Sequence, residues 1–230
     1  MRALVFIIFI LIGCRQQKLV ESTFISSNVI VDELNWYEIN NKFPNQVIEQ
    51  AKSVVTVESG ELRCTGLFIT SEIVLTAAHC LGDTNRIVLS DKKLFCDEVL
   101  YKSSSYDFGL LKCQRPKAIY IKPYDLHEFV SPTKNEKVYL IHNNCSAFES
   151  QCIVKTRISP GRIIDIDKVI KHTSDTFKGS SGAPLFSAED FKLVGFHIKG
   201  NQESPYYGPY NIALPVQNII DDLSANFFIP

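Results

Sequence analysis

GSSGAPL at residues 179–185 is the segment from which the fold can be inferred, together with LTAAHC at 75–80 and YDFGLL at 106–111. Each segment holds at least one side chain that nucleophilic catalysis can use. Around them, short runs rich in β-branched and aromatic residues alternate with turn residues between about residues 53 and 215. Many short strands predict an all-β sandwich or barrel, and only residues 216–225 have the apolar spacing of an amphipathic helix.

The three side chains are Ser181, His79 and Asp107. A serine hydroxyl is a poor nucleophile near neutral pH, so an imidazole has to accept its proton as the new bond forms. A carboxylate that accepts the other ring N–H fixes the histidine tautomer and stabilises the imidazolium. Serine, histidine and aspartate are thus the residue types that such chemistry needs as nucleophile, general base and orienting carboxylate.

In this order and spacing, the three segments resemble the signature blocks of the trypsin and chymotrypsin family, over about residues 53–223. The resemblance implies a chymotrypsin-like double β-barrel with a C-terminal helix. It implies a serine endopeptidase that acts on protein or peptide substrates through an acyl-enzyme, with His79, Asp107 and Ser181 as its triad. The backbone N–H groups of Gly179 and Ser181 match the family's oxyanion hole. We expect a monomer that needs no cofactor.

The specificity pocket can also be placed by this resemblance. Family members line it with residues just before the nucleophile and with a later strand, here Asp175, Thr176, Lys178, His197, Ile198 and Gly200. A threonine and a histidine occupy the positions of Thr176 and His197 in glutamyl endopeptidases, which favours cleavage after Glu or Gln. Asp175 instead occupies the position where trypsin keeps the aspartate that attracts Arg or Lys. The Glu or Gln preference is our prediction, and trypsin-type specificity is the alternative.

Apart from Cys14, the chain has six cysteines: Cys64, Cys80, Cys96, Cys113, Cys145 and Cys152. An even number in an exported chain indicates disulfides, although sequence alone leaves several pairings open. The family resemblance implies a Cys64–Cys80 disulfide beside His79. Among the other four, we infer that Cys96 pairs with Cys113 around Asp107 and that Cys145 pairs with Cys152 in a small loop. A zinc site is not expected, because there is no C-x-x-C pair.

The chain begins with a short basic start and ten apolar residues, which predict a signal peptide over residues 1–13. LIGC at 11–14 resembles the bacterial lipoprotein processing box, which implies cleavage before Cys14 and lipidation of its thiol. Residues 14–43 are then expected to form a membrane tether and residues 44–230 the protease domain, which starts with a short helix. This organisation places the protein in the bacterial cell envelope, at the outer membrane or periplasmic face, or outside the cell if Cys14 is not lipidated. A plain signal peptide is the alternative.

Two other classes of protein and one class of partner fit the sequence less well. A binding module that has kept the fold and lost catalysis should lack a triad residue, and none is missing here. An α/β-hydrolase needs its serine before its acid and histidine, the reverse of the order seen. A formal net charge of -1 gives no electrostatic footprint for nucleic acid.

Ser180 replaces the aspartate that digestive family members pair with a newly cut N-terminus, so no activation switch of that kind is expected.

Overall fold

The computed structural model describes residues 35–89, 92–114, 121–144, 154–201 and 209–226. The predicted signal peptide, Cys14, Cys145 and Cys152 lie outside these residues. The described chain begins with a short strand, β1 (Tyr37–Glu38), and a helix, α1 (Asn45–Ala51). None of its helices is long and apolar enough to cross a membrane.

The next six strands close into an antiparallel barrel. They are β2 (Val54–Ser59), β3 (Leu62–Phe68), β4 (Ile73–Thr76), β5 (Asn85–Leu89), β6 (Lys92–Lys102) and β7 (Gly109–Cys113), and a single 3-10 turn (Ala78–Cys80) follows β4. Their order around the barrel is β2-β3-β4-β7-β6-β5. Along β2 the side chains alternate, so Val55 and Val57 fill the barrel while Glu58 faces outward.

The second half of the chain forms another closed barrel of six strands. These are β8 (Lys137–Asn144), β9 (Lys155–Ile166), β10 (Ile170–His172), β11 (Pro184–Ser187), β12 (Leu193–Asn201) and β13 (Tyr210–Pro215). Their order is β9-β10-β13-β12-β11-β8, and the pairing of β8 with β9 closes the barrel. Strand β1 adds to the other side of β9, and helix α2 (Val216–Asn226) follows β13.

Three apolar clusters hold this architecture together. One fills each barrel, and the third joins the barrels and receives one face of α2 through Val216, Ile219 and Leu223. The predicted disulfides Cys64–Cys80 and Cys96–Cys113 are both present in the first barrel. The all-β double barrel with a C-terminal helix is therefore confirmed.

Candidate active site

Two of the predicted catalytic residues come from the first barrel. Strands β4 and β7 are paired so that Thr76 lies opposite Gly109. Since His79 follows Thr76 by three residues and Asp107 precedes Gly109 by two, both residues emerge at the same barrel edge. The His79 Nδ1 atom lies 2.7 Å from Asp107 Oδ2, and the His79 backbone N–H donates to Asp107 Oδ1 at 3.0 Å.

The Asp107 carboxylate is held in its charged form. Partial burial would raise its pKa, but hydrogen bonds from the His79 side chain and backbone outweigh burial and lower it. The turn that carries Asp107 is fixed locally, because Ser103 Oγ accepts the backbone N–H groups of Ser105 and Tyr106. The His79 ring keeps 48 % of its side-chain surface exposed. The His79 ring is therefore oriented by Asp107 and accessible from outside.

Ser181 comes from the second barrel, in the loop just before β11. Its carbonyl accepts the Thr65 N–H at 2.8 Å, and the next residue, Gly182, donates its N–H to the His197 carbonyl at 2.7 Å. Gly182 has a φ of +82°, and a Cβ there would lie 2.2 Å from the Thr65 carbonyl oxygen. Only glycine fits this position. The serine is thus clamped between strand β3 of the first barrel and strand β12 of the second.

The Ser181 hydroxyl itself donates to the Ile198 carbonyl at 3.3 Å. Within the described residues no hydrogen bond joins it to His79. Catalytic hydrogen bonds are often long or poorly aligned without substrate, and the predicted proton transfer would require the Ser181 side chain to turn toward His79. In this structure His79 is therefore hydrogen-bonded to Asp107, while Ser181 lies on the adjoining loop and its hydroxyl binds the Ile198 carbonyl.

The loop before Ser181 has the backbone shape needed for an oxyanion hole. Gly179 has a φ of +104°, and its carbonyl accepts the Thr65 hydroxyl at 2.8 Å. This bond turns the carbonyl toward the first barrel. Neither the Gly179 nor the Ser181 N–H donates to any residue that the structure describes. Both donors can therefore receive a negatively charged oxygen.

A buried polar network under this loop was not predicted from the sequence. Ser180 Oγ accepts the Phe177 N–H at 3.0 Å and contacts His142 Nδ1 at 2.7 Å. The other ring nitrogen of His142 lies 3.0 Å from Ser159 Oγ. Burial, with smaller electrostatic contributions from His197 and Arg157, lowers the pKa of His142 to about 3, so this ring is neutral. Ser180 thus supports the loop by neutral hydrogen bonds in place of an aspartate.

The predicted pocket residues differ in exposure. Thr176, Asp175, His197 and Ile198 are buried, Gly200 is half-buried and Lys178 is exposed. The Thr176 hydroxyl donates to Asn211 Oδ1 at 2.7 Å.

His197 lies on the strand next to the nucleophile loop. Its Nδ1 atom is 3.4 Å from His172 Nε2, and the two rings meet edge to face. Burial, together with His172 and His79, lowers the pKa of His197 well below its usual range. Since His172 pairs with Asn211 across strands β10 and β13, Thr176 and His197 belong to one buried polar group.

Asp175 makes a contact that sequence reasoning did not anticipate. Its Oδ2 atom accepts the backbone N–H of Asn35 at 2.5 Å. The next residue, Trp36, packs edge to face on Phe177 and lies under the Arg157 guanidinium, 4.2 Å from ring centroid to Cζ. The described part of the predicted tether, residues 35–43, therefore contacts Asp175 and Phe177, on either side of Thr176. A solitary tryptophan in a polar stretch was the one available sequence signal.

One cluster has the composition of a metal site. A ring nitrogen of His79 lies within 4.8 Å of the sulfur atoms of Cys64 and Cys80. Because these sulfurs are bonded to each other, they offer no thiolate to a cation. The cluster is therefore a disulfide that lies beside the His79 ring.

Comparison with known proteins identifies the family of the chain. The model of the trypsin-like peptidase domain matches residues 64–196, more than half of the chain, so the chain belongs to this family. Among curated protein sequences, none matches the chain significantly.

Solved structures show the same fold at low identity. A Glu endopeptidase superposes with a TM-score of 0.67 at 16% identity, covering 86% of this chain and 99% of its own. Neuropsin, a serine protease of mouse brain, gives 0.63 at 16%, covering 78% and 96%. An inactive form of Rv3671c from M. tuberculosis gives 0.61 at 18%, covering 87% and 100%.

Proposed function

We propose that the protein is a serine endopeptidase with His79, Asp107 and Ser181 as its catalytic triad. The observation that carries this proposal is the 2.7 Å contact between His79 Nδ1 and Asp107 Oδ2 beside the clamped Ser181 loop. Ser181 Oγ attacks the scissile carbonyl carbon while His79 takes the hydroxyl proton. His79 then gives that proton to the leaving amine, and water hydrolyses the acyl-enzyme by the same route.

The Gly179 and Ser181 N–H groups are the proposed donors to the oxyanion of each tetrahedral intermediate. They act in the transition state because the charge on this oxygen develops only as the bond to Ser181 forms. A binding module without catalysis is less well supported, because no residue of this arrangement has been lost.

For specificity we propose cleavage after Glu or Gln, with Thr176 and His197 holding the substrate side chain. A neutral, buried His197 can hydrogen-bond the amide of Gln directly and can accept a proton when a Glu carboxylate enters. Cleavage after Arg or Lys is less well supported, since the Asp175 carboxylate already accepts the Asn35 N–H.

The test measures kcat/KM for peptides that differ only in the residue before the scissile bond: Glu, Gln, Arg or Leu. We expect Glu and Gln to be best, and His197→Ala to lower their cleavage by about tenfold or more while cleavage after Leu changes little. Ser181→Ala should lower every rate by at least about a thousandfold, with loss of fluorophosphonate labelling.

Asp175→Asn is the matched control for the pocket. A wild-type preference for Arg that this variant weakens would overturn the Glu or Gln assignment and leave the triad intact. Full activity in Ser181→Ala would overturn the peptidase mechanism itself.

We also propose that the protease domain is exported and anchored to the cell envelope through a lipid on Cys14. Each buried methylene of an acyl chain adds about 0.8 kcal/mol to membrane binding, so several chains give a stable anchor. Cys14→Ser should move the protein from the membrane to the soluble fraction after cell lysis, with unchanged peptide cleavage. Equal distribution of both forms would contradict lipidation.

A further inference from the structure

Three basic side chains surround one acidic side chain on the outer face of the first barrel. Glu58 on β2 lies opposite Arg63 on β3 and Arg86 on β5. The Glu58 carboxylate is 3.2 Å from Arg63 Nε, 2.7 Å from Arg86 Nε and 3.7 Å from Lys93 Nζ. We call Arg63, Arg86 and Lys93 the cationic cluster.

The carboxylate is hidden while the cations are exposed. Only 6% of the Glu58 side chain is accessible, compared with 44% for Arg63, 41% for Arg86 and 56% for Lys93. Burial would raise the pKa of Glu58, but the hydrogen bond from Arg86 and the three positive charges lower it, so Glu58 is ionised. Among these residues, three positive charges face two negative ones even when the exposed Glu61 of the β2–β3 turn is counted.

The cationic cluster adjoins the nucleophile loop through strand β3. Side chains two residues apart lie on the same face of a strand, about 7 Å apart. Arg63 therefore shares a face with Thr65, whose hydroxyl binds the Gly179 carbonyl. The Arg63 carbonyl oxygen lies 3.6 Å from the position that a Cβ would take on Gly179. Arg63 of the cationic cluster therefore lies directly beside the loop that carries the proposed oxyanion hole.

This side of Ser181 is where the leaving group has to pass, if the proposed function is correct. The acyl side of the substrate is assigned to β12, whose Ile198 carbonyl lies beside Ser181 Oγ. Because the Ser181 loop is held between β12 and β3, a chain that continues past the scissile bond away from β12 passes β3, near Thr65 and Arg63. The first residues of the leaving group therefore come within reach of long, exposed arginine and lysine side chains.

We propose that the cationic cluster selects substrates with an acidic side chain among the first residues after the scissile bond. This inference rests on the proposed endopeptidase function and concerns the leaving-group side of the same site. Arginine fits a carboxylate in a planar, bidentate manner, and the surplus charge attracts it before contact is made. Because these pairs are exposed, the preference should be modest and sensitive to salt.

The experiment uses the full chain and two kinds of substrate with one common acyl sequence. The first kind releases p-nitroaniline, which does not extend along β3. The second kind continues with three alanines, of which one is replaced in turn by Asp, Asn or Lys. We expect kcat/KM to be about three- to tenfold higher with Asp than with Asn at the best position, and lowest with Lys.

Charge variants test the source of this preference in both directions. Arg63→Gln and Arg86→Gln should each reduce the Asp over Asn ratio, whereas Glu58→Gln, which removes the only buried negative charge of the group, should increase it. Lys137→Gln removes one positive charge from the second barrel, as the arginine variants do from the first, and should leave the Asp over Asn ratio unaltered. None of these variants should change p-nitroanilide cleavage. The wild-type ratio should also fall toward one at about 1 M salt, which tests the proposal without any variant.

The outcomes separate the two proposals. Absence of p-nitroanilide cleavage would contradict the peptidase function. Normal p-nitroanilide cleavage with equal rates for Asp and Asn peptides at every position would overturn only the acidic leaving-group preference. A preference that persists in both Arg63→Gln and Arg86→Gln and resists salt would also overturn it.

Discussion

At the scale of single residues, Thr65 links the two barrels at the point where the proposed chemistry occurs. Its N–H donates to the Ser181 carbonyl, and its hydroxyl donates to the Gly179 carbonyl. The same hydroxyl accepts the Asn143 N–H at 3.1 Å. A side chain of the first barrel therefore fixes the direction of the backbone that supplies the proposed oxyanion donors.

Thr65→Val keeps the shape of this side chain and removes its hydroxyl. The buried Gly179 carbonyl and Asn143 N–H then lose their partner, which costs about 1–3 kcal/mol. We expect kcat to fall by about ten- to a hundredfold with little change in KM, because the oxyanion donors act mainly in the transition state. Thr65→Ser retains the hydroxyl and should remain near wild type. Equal losses in both variants would show that packing, and not this hydrogen bond, is what matters.

At the scale of elements, regular patterns in the sequence predict most of the structure. The apolar spacing at residues 216–225 corresponds to α2 (Val216–Asn226), and the β-rich runs correspond to most strands of both barrels, although not to the three-residue strand β10. Strand β1 escapes prediction because it has only two residues and its partner, β9, lies far along the chain. Elements of that kind are created by tertiary pairing and leave no local signal.

The residues of the candidate site likewise fall into those that the sequence predicts and those that only the fold reveals. His79, Asp107 and Ser181 lie in short segments whose neighbouring residues are diagnostic, so a single sequence suffices to select them. The supporting residues lack such a context: His142 is an ordinary strand residue until the fold brings it to Ser180. The contact of Asn35 with Asp175 likewise depends on the path of the chain between the barrels, which local sequence does not encode.

At the scale of the whole molecule, three buried histidines make stability depend on pH. His142, His172 and His197 lie in the second barrel, and burial lowers the pKa of each, to about 3 for His142 and for His172. Unfolded histidine takes up a proton near pH 6.5, whereas these folded histidines do not. Their contribution is therefore fully present above pH 6.5 and is lost as the pH falls toward 3.

Urea unfolding between about pH 7 and pH 4.5 measures this effect. Once the unfolded histidines are protonated, each should lower the free energy of unfolding by about 1.4 kcal/mol per pH unit. In His172→Gln the side chain at this position no longer takes up a proton on unfolding. The slope of the unfolding free energy against pH should therefore fall by about 1.4 kcal/mol per pH unit. A stability that stays constant over this range, or a slope unchanged in His172→Gln, would contradict the assignment of these rings as neutral in the folded protein.

The Cys64–Cys80 disulfide joins the neighbours of two residues with different tasks. Cys64 precedes Thr65, which holds the oxyanion loop, and Cys80 follows His79, the proposed base. Formation of this one disulfide thus links the segment that carries Thr65 to the segment that carries His79. In a reducing cytosol these thiols stay apart, and the segments around them depend on non-covalent contacts alone. If the protein is an exported protease as proposed, this crosslink protects the cell that makes it, because the segments of His79 and Thr65 are covalently linked only after the chain has left the compartment that holds the cell's own proteins.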